Sequence, residues 1–175
     1  MQNTSSETIV AKPSAGYFAL AAAIGATTFG AALAFQYVGG LAPCQLCLWQ
    51  RYALAVGIGA AVLAAISSGT LRFALGALAA LGFAAEAALA AYHTGVERQW
   101  WAGPSGCSGG ALPETFDPAA MLAGAAGKAP PACNEIPWSL AGLSMANWNV
   151  LIAGLMMAIC IAGLRRMHAA RGSFL

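Results

Sequence analysis

The stretch Pro43-Cys44-Gln45-Leu46-Cys47-Leu48-Trp49-Gln50-Arg51 runs directly into Tyr52–Ile66, an uninterrupted apolar run. A Cys-x-x-Cys pair therefore stands at the entrance of a segment able to cross a bilayer, which takes about 20 mostly apolar residues in helical form. Between Leu48 and Ile66 the only charge is Arg51. Comparable stretches run from about Tyr17 to Val38, from about Leu71 to Tyr92 and from about Trp148 to Leu164. The pattern predicts an all-α membrane protein, a four-transmembrane-helix bundle forming a single membrane domain over residues 1–175, with spans at about 17–38, 48–66, 71–92 and 148–164. The first stretch exceeds the roughly 7–15 residues of a signal-peptide core and follows a polar arm, Met1–Ala15, so it is expected to be retained.

Composition agrees. The chain is 59% hydrophobic and 8% charged, with a mean hydropathy of +0.69. A soluble domain carries about 25% charged residues, so this chain cannot cover a water-facing surface. The net charge is only +2 and no basic run is present, which excludes nucleic acid as a partner.

Three connections join the spans. Ser67-Ser68-Gly69-Thr70 is a tight turn, Gly39–Cys47 a short loop and His93–Asn147 a long one. Lys12, Arg72, Arg165, Arg166 and Arg171 fall on one side of the membrane. Arg98 and Lys128 fall on the other, with Glu97, Glu114, Asp117 and Glu135, and Arg51 lies near the edge. The Lys/Arg bias makes the first side cytoplasmic, so both termini are expected there and the loops at about 39–47 and 93–147 on the opposite side, which for a bacterial inner membrane is the periplasm. Trp49, Trp100, Trp101, Trp138 and Trp148 all belong to the periplasmic side, as an aromatic belt. That compartment is oxidising. Small residues recur every four positions at Ala22, Ala26, Gly30 and Ala34, at Ala53, Gly57, Ala61 and Ala65, and at Gly76, Ala80, Ala84 and Ala88. Such stripes permit close helix approach, although an alanine-rich composition produces them too.

Five cysteines are present: Cys44, Cys47, Cys107, Cys133 and Cys160. Cys44 and Cys47 open a helix, where unsatisfied N–H groups favour a thiolate. Arg51 follows Cys47 by four residues on the same face, able to support that thiolate or to bind a ligand oxygen. A charge placed in lipid implies function, against the plainer reading of a structural disulfide with a snorkelling arginine. Cys-x-x-Cys is also a zinc half-site, but His93 and His168 are expected on opposite sides of the membrane and the second cysteine pair is widely spaced, so no metal is expected. Cys107 lies in Gly103-Pro104-Ser105-Gly106-Cys107-Ser108-Gly109-Gly110, a sequence expected to be exposed and reachable by another protein. A Cys107–Cys133 bond would close about 27 residues and contribute roughly 3.5 kcal/mol, either as a staple or as one half of an exchanging system. Phe116–Ala123 reads as a short interfacial helix capped by Asp117 and Pro118. Glu86, Ala90, His93 and Glu97 share a helix face, with Glu86 about 9 Å below Tyr92. Glu86 is read either as part of a proton path or as a protonated side chain hydrogen-bonded to a neighbouring helix. His93 is read as functional, at the depth of the Cys-x-x-Cys pair. Cys160, inside the fourth span, is assigned no role.

The four spans, Pro43–Arg51 with its C-x-L-C-x-x-Q-R pattern, the Cys107/Cys133 loop and Gly142-Leu143-Ser144-Met145-Ala146-Asn147-Trp148 together resemble the DsbB family of disulfide bond formation proteins, from about Tyr17 to Leu164. The resemblance implies a membrane thiol:quinone oxidoreductase. A periplasmic thioredoxin-like oxidase, DsbA-like, would attack a Cys107–Cys133 disulfide at Cys107. Cys133 would then exchange with Cys44, and Cys47 would be released as a thiolate beside ubiquinone or menaquinone bound by Arg51 and His93. An ordinary structural disulfide, below about −300 mV, would oxidise a DsbA-like partner at about −120 mV uphill by about 8 kcal/mol, so a stronger terminal acceptor is required. Two rival readings stand beside this one. A vitamin K epoxide reductase-like enzyme also couples cysteine pairs to a quinone, but there the Cys-x-x-Cys follows the loop pair, whereas here it precedes it. A membrane scaffold stapled by two disulfides would need neither Arg51 nor a quinone.

Overall fold

In the computed structural model, which describes residues 4–104, 107 and 132–172, four long helices carry the chain: α1 (Thr4–Tyr37), α2 (Gln45–Ile66), α3 (Gly69–Glu97) and α4 (Met145–Gly172). Each contains a stretch long and apolar enough to cross a membrane: Ser14–Tyr37, Gln45–Ile66, Gly69–Glu97 and Met145–Ala170. The protein is a multi-pass membrane protein of all-α class. The segment Phe116–Ala123 lies outside the described residues.

The helices alternate in direction, so the C-termini of α1 and α3 and the N-termini of α2 and α4 gather at one end. Helices α1 and α3 each pack against both α2 and α4, closing a ring. Its core is Phe18, Ala21 and Ala22 of α1, Leu54, Ala60, Ala61 and Ala64 of α2, Ala79 and Phe83 of α3, and Ala153, Met156 and Cys160 of α4. Cys160 serves here as a small hydrophobe.

The inward face of α3 is Arg72, Gly76, Ala79, Phe83, Glu86, Ala90, His93 and Glu97. Its spacing alternates four and three, the pattern that keeps a helix face turned toward its neighbours. The strict four-residue stripes behave differently. On α1, Ala26, Gly30 and Ala34 face outward, while Phe18, Ala21, Ala22 and Gly25 are buried. A four-residue step overshoots a full turn by about 40°, so the stripe winds off the contact face within two turns. On α2, Gly57 and Ala61 stay buried, and there the backbones do approach closely. A Cβ added to Gly82 of α3 would stand 2.9 Å from the Gly57 backbone, and one added to Gly57 would stand 2.7 Å from the Phe83 ring.

Helix α3 extends past Tyr92 to Glu97 because its last polar residues point inward. It ends in a Schellman motif: Gln99 N–H donates to the Val96 carbonyl, Trp100 N–H donates to the Gly95 carbonyl, and Gln99 takes the left-handed conformation at φ 58°. This turn folds Trp101 back over the helix, where it stacks on Tyr92 and donates from Nε1 to the Tyr92 carbonyl at 3.0 Å.

Before α4 the chain forms a small hairpin, β1 (Ser139–Leu140) antiparallel to β2 (Leu143–Ser144), with Ser139 opposite Ser144. The two turn residues, Ala141 and Gly142, both have positive φ, 53° and 77°. That geometry is the two-residue turn whose twist matches paired strands. The hairpin delivers Ser144 to the N-terminus of α4, where its Oγ accepts the Asn147 N–H at 3.2 Å as an N-cap. At the far end of the bundle Arg72, expected only as a flanking cytoplasmic charge, is buried. It donates to the Ala64 carbonyl and to Ser14 Oγ, both at 3.2 Å.

Candidate active site

All four loop-associated cysteines meet at the end of the bundle where α2 and α4 begin. Cys44 is the residue that starts α2: its backbone is extended (φ −76°, ψ 172°) and its Sγ accepts the Cys47 N–H at 3.2 Å. A sulfur thus occupies the N-cap, where the helix's free N–H groups favour negative charge. Cys47, three residues on, returns to the same end, and the two sulfurs lie 2.7 Å apart as free thiols.

Cys107 and Cys133 are joined as a disulfide with Cα atoms 5.1 Å apart, and Cys133 N–H donates to the Cys107 carbonyl. The pair does not stand out in solvent. Cys107 is 2% exposed and Cys133 fully covered, in one apolar cluster with Cys44, Leu46 and Val96. The expectation of an exposed Cys107 fails because the disulfide seats itself against the ends of α2 and α3. A glycine-rich flank says how freely a loop can bend, not what it packs on.

His93 is the hub. Its Nε2 is 3.7 Å from Cys44 Sγ and 4.0 Å from Glu97 Oε1, and its Nδ1 accepts from Gln50 Nε2 at 2.9 Å. Ligand atoms of Cys44, His93 and Cys133 all lie within 4.8 Å of one another. With Cys133 held in a disulfide, that cluster offers two free donor atoms, short of the four that a structural zinc takes. Around His93 a polar chain links three helices. Asn149 Nδ2 of α4 donates to Gln50 Oε1 of α2 at 2.7 Å, and Ser144 Oγ donates to Glu97 Oε2. Asn147 Nδ2 donates to Ser144 Oγ at 2.8 Å. Sequence reasoning did not assign roles to Gln50, Ser144 or Asn149. Gln50 and Ser144 stood in the stretches that carry the family resemblance, and the only signal of Asn149 was that of a polar residue at the mouth of an apolar span.

The surroundings of Cys44 make it acidic. The hydrogen bond from Cys47, with the His93 ring and the Cys47 backbone N–H behind it, overrides the cost of burial and brings the thiol down from its ordinary 9.0 to about 4. Arg51 follows one turn below Cys47 and is half-buried, with its guanidinium directed at α1: it donates to Gln36 Oε1 and to the Ala32 carbonyl. Glu86 is fully buried seven residues below His93, and neither of its oxygens has a hydrogen-bond partner among the described residues. The expected bond to a neighbouring helix is not formed.

Two cysteine pairs, one bonded and one free, brought into contact at the end of a four-helix membrane bundle define a membrane thiol–disulfide protein. Residues 14–163 match the model of the family described as disulfide bond formation protein DsbB. The chain is similar to the disulfide bond formation protein B of Albidiferax ferrireducens, with 32% identity over 165 residues covering 89% of each chain. It is 34% identical over 145 residues to that of Verminephrobacter eiseniae, covering 77% of this chain and 76% of the relative. The similarity to the Ralstonia nicotianae protein reaches 49% over a shorter stretch of 72 residues, 39% of this chain and 45% of the relative. The chain belongs to the DsbB family of disulfide-forming membrane proteins.

Proposed function

We propose that this protein is a protein-dithiol:quinone oxidoreductase of the bacterial inner membrane, its site on the periplasmic face, that reoxidises a DsbA-like dithiol oxidase. The observation that carries the reading is the meeting of one sulfur from each pair, Cys44 and Cys133, against a single histidine.

The partner's thiolate attacks Cys107; a bond to Cys107 forms, the Cys107–Cys133 bond breaks, and the electron pair leaves on Cys133. Because Cys107 is covered, this attack requires the cover to open first. Cys133 then attacks Cys44 of a Cys44–Cys47 disulfide, and the pair leaves on Cys47. The partner's second thiol resolves its mixed disulfide and leaves oxidised, freeing Cys107. Cys107 retakes Cys133 and releases Cys44. Two electrons have then passed from the partner to Cys44 and Cys47, leaving Cys107 bonded to Cys133 and Cys44 and Cys47 as a dithiol.

The residues fit a quinone acceptor. Cys47 and Arg51 are half-buried and one turn apart on α2, and Arg51 reaches across to α1. A guanidinium has five N–H donors, so the bonds to Gln36 and Ala32 leave others for a carbonyl oxygen. Arg51, with Cys47 and His93, would hold a quinone, either ubiquinone or menaquinone, which would supply the two-electron acceptor.

Ultraviolet absorbance of the quinone tests the reading. Purified protein given a reduced DsbA-like dithiol should consume quinone, and Cys47→Ala should abolish turnover. Cys133→Ala should trap Cys107 in a mixed disulfide with the partner. No turnover with either quinone, together with no adduct, would leave a disulfide-stapled scaffold as the better account.

A further inference from the structure

The hydrogen bonds through Asn149, Gln50 and His93 run in one sense. Asn149 Nδ2 donates to Gln50 Oε1 at 2.7 Å, and Gln50 Nε2 donates to His93 Nδ1 at 2.9 Å. An amide nitrogen only donates and an amide oxygen only accepts, so His93 Nδ1 is an acceptor. A neutral imidazole then carries its hydrogen on Nε2. Nε2 is the nitrogen that faces Cys44, 3.7 Å from its Sγ, and a ring nitrogen of His93 lies within 4.8 Å of Cys133 Sγ. Gln50 and His93 are both buried, so water does not compete for the ring. Glu97, whose Oε1 lies 4.0 Å from Nε2, is itself held from the other side by Ser144.

We propose that Gln50 and Asn149 are positioning residues for disulfide exchange: they hold His93 as the Nε2–H tautomer, so that one N–H donor serves whichever of Cys133 and Cys44 carries the negative charge. The proposal rests on the exchange reading above. In the forward step the Cys133 thiolate attacks Cys44; the Cys133–Cys44 bond forms, the Cys44–Cys47 bond breaks and the electron pair leaves on Cys47. No proton moves through the ring. Nε2–H steadies the Cys133 thiolate before the attack, and it steadies the Cys44 thiolate after Cys107 has retaken Cys133. With the opposite tautomer a bare nitrogen lone pair would face both sulfurs and repel either thiolate.

The chain has two histidines, His93 and His168, which makes the test direct. Full-length protein labelled with ¹⁵N-histidine, in lipid nanodiscs, with all disulfides formed and at mildly alkaline pH, reports the tautomer of each ring, and His168→Gln assigns them. The wild-type His93 should be the Nε2–H form. Asn149→Asp keeps the shape but cannot donate, so the Gln50 amide should turn over and His93 should become the Nδ1–H form. Electron transfer from a reduced DsbA-like dithiol into Cys44 and Cys47, read in one turnover by alkylation, should slow about tenfold or more, as expected for the loss of one hydrogen bond to a charged group. If Asn149→Asp does not fold, Gln50→Met removes the donor at Nδ1 and should give a mixture of tautomers with slowed transfer. A wild-type His93 in the Nδ1–H form overturns the proposal. So does a tautomer switch without slowing, or slowing without a switch. Wild-type protein that takes no electrons from the dithiol overturns the exchange reading and the proposal with it, and the labelled spectrum reports the tautomer regardless.

Discussion

Cys44 Sγ accepts a backbone N–H from the first turn of α2, faces Cys47 Sγ at 2.7 Å and lies beside His93 Nε2. These contacts bring its thiol down to about 4, with the Cys47 hydrogen bond as the largest cause. In the dithiol form Cys44 is therefore a thiolate at neutral pH. Its ionisation stabilises the fold fully above about pH 9, less as pH falls below that, and not at all below about pH 4. Alkylation of reduced protein, followed by mass spectrometry at Cys44, should keep its rate down to about pH 5 and lose it near pH 4, and Cys47→Ala should move that loss to higher pH. Glu86 poses the opposite case, a buried carboxyl with no partner among the described residues. An unsatisfied buried polar group costs about 1–3 kcal/mol, so Glu86→Leu should raise the unfolding midpoint. Glu86→Gln should leave quinone reduction unchanged at every pH; a loss of rate that grows with pH would restore Glu86 to a proton path. At this scale the sequence identified Cys44, Cys47 and His93 by motif and depth. It marked Gln50 only as a letter of the C-x-L-C-x-x-Q-R pattern and did not mark Asn149, because what each does depends on a hydrogen-bond partner 43 or 99 residues away.

Between elements, α2 and α3 approach closely at Gly57 and Gly82. A methyl group at Gly82 would strike the Gly57 backbone, which cannot rotate aside as a side chain can. Gly82→Ala should therefore separate the two helices and cost about 1–3 kcal/mol, measured by chemical unfolding in detergent. Gly154→Ala is the matched control: it sits in α4 with nothing within 4 Å of its added Cβ, and it should be neutral or slightly stabilising. The separation also bears on the site, since Cys44 and Gln50 belong to α2 and His93 to α3. The small-residue spacing exposed the contact on α2 and misassigned α1, because periodicity alone does not say which of several small faces meets a neighbour. The end of α3 was underestimated for a related reason. His93 and Glu97 lower the hydropathy, yet both point inward.

For the whole molecule, one end of the bundle gathers both cysteine pairs, the His93 network and the tryptophans at or near the helix ends. The opposite end holds buried Arg72 and the termini of α1 and α4. The Lys/Arg bias expects that opposite end in the cytoplasm. A periplasmic alkaline phosphatase fused after Leu175 should be inactive, and the same reporter inserted in the loop between α3 and α4 should be active; the reverse pattern would invert the topology and remove the site from the oxidising compartment.

The number of spans, their approximate positions and the Cys-x-x-Cys pair at the head of α2 were determined by the sequence alone, because hydropathy and helix-end chemistry are local properties. Which sulfurs meet was not. Cys44 and Cys133 are 89 residues apart, and their common position beside His93 exists only once α2, α3 and α4 close the ring and the Cys107–Cys133 disulfide settles on its end. The covering of Cys107 and the direction of Arg51 toward α1 were likewise decided by packing, since each depends on a surface built from distant parts of the chain.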